Sequence, residues 1–390
     1  MHHASVLRTP PHVPTQGMLP IAVPIALPPA AERDTTAAQP FEPHLVEPLR
    51  CFLRLDETDP ATVNARAQEH RLFAWGPTAS DARCVNQAIA HSDLPARALI
   101  EAGMDRVFVA RPPDTHGLAA PPRVLVVPLG LHAVNAVRLL ALKTALQALA
   151  DRFGPAALAQ LQVVCVGGRA LLPAERQPVR AVMAEGLAGY GSAGWGRLTD
   201  HEREALLDGY EAALRQGLGD PAGLQLPADA PAVLGESDSA RHLWHHAPAL
   251  QELREAIGER AHFIEAQPGD HPGRQRDNTH GNALLLLRLA DAQMALRPGE
   301  DTVWVCSDSL FCPRATQIFR GYCGQRGVAV QACSVALTGA GAAEEAGALE
   351  ALLPLALRET ACMLNEAVRS AADGPANWFV LPPPPGHAPH

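Results

Sequence analysis

Three carboxylates, a glycine pair and one arginine stand where an α/β protein places its chemistry. Asp238 lies in Glu236–Ser237–Asp238–Ser239, at the start of a predicted helix. A carboxylate there also favours the helix dipole, so either Glu236 or Asp238 suits a purely structural role. Glu265 ends the apolar run AHFIE (Ala261–Glu265), and Asp308 follows Ser307 directly after the run TVWVC (Thr302–Cys306). In an open α/β sheet, ligands bind beyond the carboxyl ends of the strands. Asp238, Glu265 and Asp308 are therefore expected around one crevice, binding hydroxyls, an amine or a metal, or serving as acid and base. Gly167–Gly168 closes a third apolar run, LQVVCV (Leu161–Val166). Glycine lets backbone approach a ligand closely, although the same pair makes an ordinary tight turn. It is neither a dinucleotide fingerprint nor a P-loop, because the further glycines or the Gly-Lys-Ser/Thr are missing.

Thr279, Gly281 and Asn282 sit at the mouth of another predicted helix, with Asp277, Asn278 and Thr279 as cap candidates. Such an end presents backbone N–H groups. Arg314, on the helix after Asp308, is suited to clamp a carboxylate or phosphate. His242 and His246 are spaced i,i+4, with Asp238 one turn earlier, which is a formal metal set but lacks an HExxH pattern. No GxSxG elbow is present.

Buried strands are expected at Val124–Pro128, Leu161–Val166, Ala261–Glu265, Thr302–Cys306 and Val328–Val335. Between the first two, His132–Phe153 repeats apolar residues at helical spacing until Gly154–Pro155 stops it, which makes a βαβ unit. Further helices are expected at about Thr199–Gln216, from Glu236 through SDSARHLWHHAPALQELREAI, from Thr279, and as a closing helix Glu345–Ala372 broken near Pro354. The pattern predicts a three-layer α/β domain with a mostly parallel sheet. That domain spans 123–380, with an inserted lid-like segment at about 169–231 that contains GYGSAGWG. Residues 1–44 read as a disordered Pro/Ala-rich leader and 45–122 as a helical extension and linker, with a short strand at RVFVA (Arg106–Ala110). Residues 381–390 read as a disordered tail.

Composition narrows the function class. The chain has 390 residues, 47% of them hydrophobic, and a net charge of −9. No basic stripe appears, so nucleic acid is not an expected partner. The eight cysteines form no CxxC pair and several lie in apolar runs, as in a reducing compartment. No run reaches the roughly 18 to 20 apolar residues that span a bilayer. A cytoplasmic protein is expected, with secretion through the leader as the alternative.

Four pieces in order resemble the ElyC/SanA/YdcF family of bacterial proteins, over about Arg123 to Val335. They are an apolar strand followed by a helix bearing Arg138, the strand ending VVCVGG, a carboxylate helix motif at Asp238, and Glu265 followed by Thr279–His280–Gly281–Asn282–Ala283 and VCSDSLFCPRA. Asp308 is like the YdcF branch. The chain departs from the family in having Asp238 for a Glu, Ser309–Cys312 where many members carry a His, and a longer segment between Glu265 and Thr279. The resemblance implies a Rossmann-like fold. It also implies a pocket lined by Gly167, Gly168, Asp238, Glu265, Thr279, Asn282, Ser307, Asp308 and Arg314, and a ligand such as S-adenosylmethionine or an adenine nucleotide. The resulting expectation is a small-molecule-binding protein, with transferase or hydrolase chemistry on an unspecified substrate. The alternatives are a non-catalytic interaction or effector protein that engages a protein partner through its leader or insertion, and a metal-dependent hydrolase.

Overall fold

The computed structural model describes residues 43–70, 72, 96–104, 107–116, 118–130, 132–168, 172–173, 178–190, 196, 198–226, 233–266, 279–289, 296–336 and 352–373. The leader up to residue 42, the tail, most of GYGSAGWG and the cap candidates Asp277 and Asn278 lie outside them.

Helices α1 (Pro43–Leu53) and α2 (Pro60–Glu69) and short helical turns at Ala96–Leu99 and Ile100–Met104 precede the first strand, β1 (Val124–Pro128). Asp59 caps α2 by accepting from the Thr62 N–H at 2.9 Å. The chain then runs through α3 (His132–Phe153), β2 (Gln162–Gly168), β3 (Leu172–Pro173), α4 (Val179–Tyr190), α5 (Asp200–Leu218) and β4 (Val233–Leu234). It continues with α6 (Glu236–His246), α7 (Gln251–Ile257), β5 (Ala261–Ala266) and α8 (Thr279–Leu289). Last come β6 (Thr302–Asp308), α9 (Cys312–Gln325), β7 (Ala329–Val335) and α10 (Leu353–Asp373).

The main sheet has the order β5-β2-β1-β6-β7 and every pairing in it is parallel. A two-stranded antiparallel ribbon, β3–β4, stands apart. The chain starts in the middle of the sheet, builds outward to β5, then returns to the other side of β1. That is the doubly wound, Rossmann-like order, with its switch point between β1 and β6. Helices α3 and α6 cover one face, and α8 and α9 the other. Alternation along each strand follows: Val163 and Cys165 join the layer of α3, while Val164 and Val166 join that of α8. Burial on both faces explains why the strands read as unbroken apolar runs.

Several boundaries differ from expectation. Ser307 and Asp308 are the last two residues of β6, in register with Ser334 and Val335, rather than the start of a loop. The helix from Glu236 divides at Ala247–Pro248, because proline lacks the N–H the helix needs. Pro354 lies in the first turn of α10, where that N–H has no role, so it starts the helix instead of breaking it. Val107–Ala110 is not a strand. The Phe108 N–H bonds the Met104 carbonyl, closing a helical turn, and the chain beyond it runs along β7. There Arg111 accepts from the Ser334 N–H at 2.7 Å and donates its own to Ser334 Oγ at 2.9 Å. This contact covers an edge strand that would otherwise be open to pairing.

The described part of the inserted segment packs onto the core. Tyr210 donates to the Ala133 carbonyl at 3.0 Å, and Val179, Met183, Leu207 and Leu214 are buried with α3. The N-terminal helices share that core through Leu45, Leu49 and Val63. Among the described residues, one helix, α3, is long and apolar enough to cross a membrane. Its apolar residues are accounted for by packing, since it is the central helix of that core.

Candidate functional site

The carboxyl ends of the strands hold two different arrangements. At the switch point, Arg138 of α3 reaches across from β1 to β6. Its Nε donates to Asp308 Oδ2 at 2.9 Å and its Nη1 to the Pro128 carbonyl at 2.7 Å. The Phe311 ring stacks over the guanidinium, 5.0 Å from centroid to Cζ. Asp308 Oδ1 accepts from the N–H groups of Leu310 and Phe311 at 3.1 and 3.0 Å. Ser307 Oγ lies 3.4 Å from Asp308 Oδ2. Asp308 is fully buried and both its oxygens are engaged. It caps the turn into α9 and holds Arg138 at the switch point.

Asn135 braces the turn after β1. Its amide exchanges hydrogen bonds with Gly130, N–H to Oδ1 at 2.8 Å and Nδ2 to the carbonyl at 2.9 Å. Its Nδ2 also lies 3.3 Å from the Glu236 carbonyl, tying the turn after β1 to α6.

At the ends of β2 and β5, Gly168, Glu236 and Glu265 are only partly buried. Glu236, half-buried in the first turn of α6, accepts from the Gly168 N–H at 2.8 Å through Oε2. Gly167 is required here, since an added Cβ would lie 2.7 Å from both Leu129 Cβ and Glu236 Oε2. Glu265, on β5 beside Gly167, is half-buried. Its Oε1 accepts from Ser237 Oγ at 2.9 Å. Gly235 permits this approach: an added Cβ would sit on the Glu265 carboxylate.

Asp238 turns outward and pairs with Arg241 at 3.0 Å, each about half exposed. The carboxylate that meets the glycine pair is therefore Glu236, two residues earlier. A β2 residue bonding a helix 68 positions on leaves no local signature; the one clue was that Glu236, too, lay in the first turn. Thr279 and Asn282 lie in the first turn of α8 as expected, and Ser307 is fully buried.

Arg314 points to α10. Its Nε donates to Glu359 Oε2 at 2.5 Å, in a pair whose side chains are 15% and 0% exposed. Burial opposes its charge, but the Glu359 carboxylate prevails and its pKa is raised. Beside it, His280 Nε2 lies 2.9 Å from Glu366 Oε1 and Nδ1 lies 3.1 Å from Tyr322 Oη. The expected clamp for a ligand anion is thus engaged by a carboxylate of the chain itself.

The histidine set does not assemble as a metal site. His242 Nε2 faces the Gln225 carbonyl at 3.2 Å, its ring stacks on His246 at 4.3 Å, and Asp238 belongs to Arg241. Among the described residues no group of three or more His, Cys, Asp and Glu is arranged to hold a metal ion. The buried thiols are no better as nucleophiles. Burial pushes Cys312, Cys323 and Cys362 up to about 12, so they stay protonated at neutral pH.

Comparison of the chain with protein-family models, with curated proteins and with solved structures finds no match in any of the three.

Proposed function

We propose that this chain is a YdcF-like small-molecule-binding protein. It takes the adenosine moiety of an adenine nucleotide or of S-adenosylmethionine at the carboxyl ends of β2 and β5, and transfers or hydrolyses a group of that ligand or its co-substrate. The observation that carries this reading is Glu265. Asp238 and Asp308 are each neutralised by an arginine, whereas Glu265 is held by Ser237 alone among the described residues. A half-buried carboxylate at a strand end, kept in place by a hydroxyl and facing bare glycine backbone, suits ribose hydroxyls. Titration calorimetry with ATP and with S-adenosylmethionine tests it. Glu265→Ala is expected to weaken binding about tenfold or more, the scale of one charge-assisted hydrogen bond. Asp238→Ala should stay within about twofold, the scale of an exposed pair. Equal affinities for wild type and Glu265→Ala would overturn the placement.

A second reading is supported by the internal ion pairs. Asp308 and Arg314 are spent on Arg138 and Glu359. That suits a scaffold whose surfaces bind a protein partner and whose pocket has lost its chemistry. It predicts no binding of either ligand to the wild-type chain.

A further inference from the structure

Asn282 is buried, 6% exposed, and its Oδ1 has no hydrogen-bond partner. A buried amide acceptor without a donor is costly, and folded proteins leave few of them. Its direction follows from the helix. Residues i and i+4 share a helical face, so Asn282 shares one with Leu286. Leu286 packs in the apolar layer with Val124, Val126, Val164 and Val166. Asn282 faces that same side, one turn nearer the start of α8. The helix returns the chain from the carboxyl end of β5 to the start of β6, and all these strands are parallel, so its first turn lies over the carboxyl ends.

Two neighbours on that layer are polar or bare. Alternation from Val164 and Val166 brings Gly168 to the α8 side of β2, with no side chain to fill the space. Alternation from Val303 and Val305 brings Ser307 to the same side of β6. The first turn of α8, with its unpartnered amide acceptor, therefore lies on the same face of the sheet end as Gly168 and Ser307, opposite the face of Glu265.

We infer that Asn282 reads the base of the adenosine moiety: its Oδ1 accepts from the exocyclic amino group of adenine, whose flat edge an asparagine amide matches. The ligand then straddles the end of β2, base on the α8 side and ribose at Glu265 on the α6 side. This inference rests on the adenosine reading of the site. Inosine carries a carbonyl oxygen where adenosine carries the amino group, and so presents an acceptor to an acceptor.

The test is calorimetric titration of the full chain with adenosine and with inosine, for wild type, Asn282→Leu and Asn282→Asp. Wild type is expected to prefer adenosine about tenfold or more. Asn282→Asp retains an acceptor and keeps the preference. Asn282→Leu loses it, while its thermal midpoint is unchanged or higher because the orphan acceptor is gone. Equal wild-type affinities, with Glu265→Ala still weakening both nucleosides, overturn the role of Asn282 and leave the ribose site standing. No binding of adenosine, ATP or S-adenosylmethionine by wild type overturns both. A large stability loss in Asn282→Leu assigns the amide to the fold and also overturns the inference.

Discussion

His132, at the first position of α3, is buried between two partners: Ser239 Oγ at 2.7 Å from Nδ1 and the Leu224 carbonyl at 3.0 Å from Nε2. A carbonyl only accepts, so Nε2 donates and Nδ1 accepts the Ser239 hydroxyl, which fixes the neutral tautomer. Burial lowers its pKa to about 4, with the Leu224 carbonyl opposing and His242 adding to the shift. The unfolded chain, titrating near 6.5, takes up this proton first. The neutral form's stabilisation is therefore complete above about pH 6.5 and is lost as pH falls toward 4, by up to ~3 kcal/mol. Urea unfolding at pH 7 and pH 4 should show His132→Gln losing distinctly less stability on acidification than wild type. Equal losses would show that this histidine is not the titrating group. At the scale of single residues the sequence was only partly legible. Glu265 and the glycine pair could be placed from strand ends alone. The fates of Asp308 and Arg314 could not, because their partners lie 170 and 45 positions away.

Between elements, the Arg138–Asp308 pair ties the ends of β1 and β6 and caps the turn into α9. Breaking a buried pair leaves one charge uncompensated, at a cost of about 3 to 5 kcal/mol. Asp308→Asn is expected to lose stability on that scale, and Arg138→Met combined with it should recover part of the loss, both measured by chemical denaturation. If Asp308→Asn instead unfolds like wild type but no longer binds ligand, Asp308 is a ligand group and its structural role at the switch point is wrong. Element identities were legible where hydrophobic period and punctuation agreed: β1 and α3 begin and end at the residues their patterns imply. They were less so where a tertiary contact decides, as at Val107–Ala110. There the β-branched and aromatic residues suggested a strand, but the adjoining chain at Arg111 bonds Ser334 beside β7.

For the molecule as a whole, the doubly wound order puts a switch point between β1 and β6. Arg138, Asp308 and Phe311 meet at the ends of β1 and β6, while α10 engages Arg314 through Glu359 and His280 through Glu366. Over β2 and β5, Gly168, Glu236 and Glu265 are partly exposed. The fold class was readable from alternating strand and helix patterns. The pairing of Arg138 with Asp308 and of Arg314 with Glu359 was not, since it depends on which charges find each other after folding. The most direct measurement is mass spectrometry of small molecules released from the purified native chain, with Glu265→Ala beside it and thermal unfolding recorded for both. The account predicts an adenosine-containing ligand from wild type, missing from a Glu265→Ala protein that unfolds at a similar temperature. No such ligand from wild type, with no thermal shift on adding ATP or S-adenosylmethionine, would contradict it.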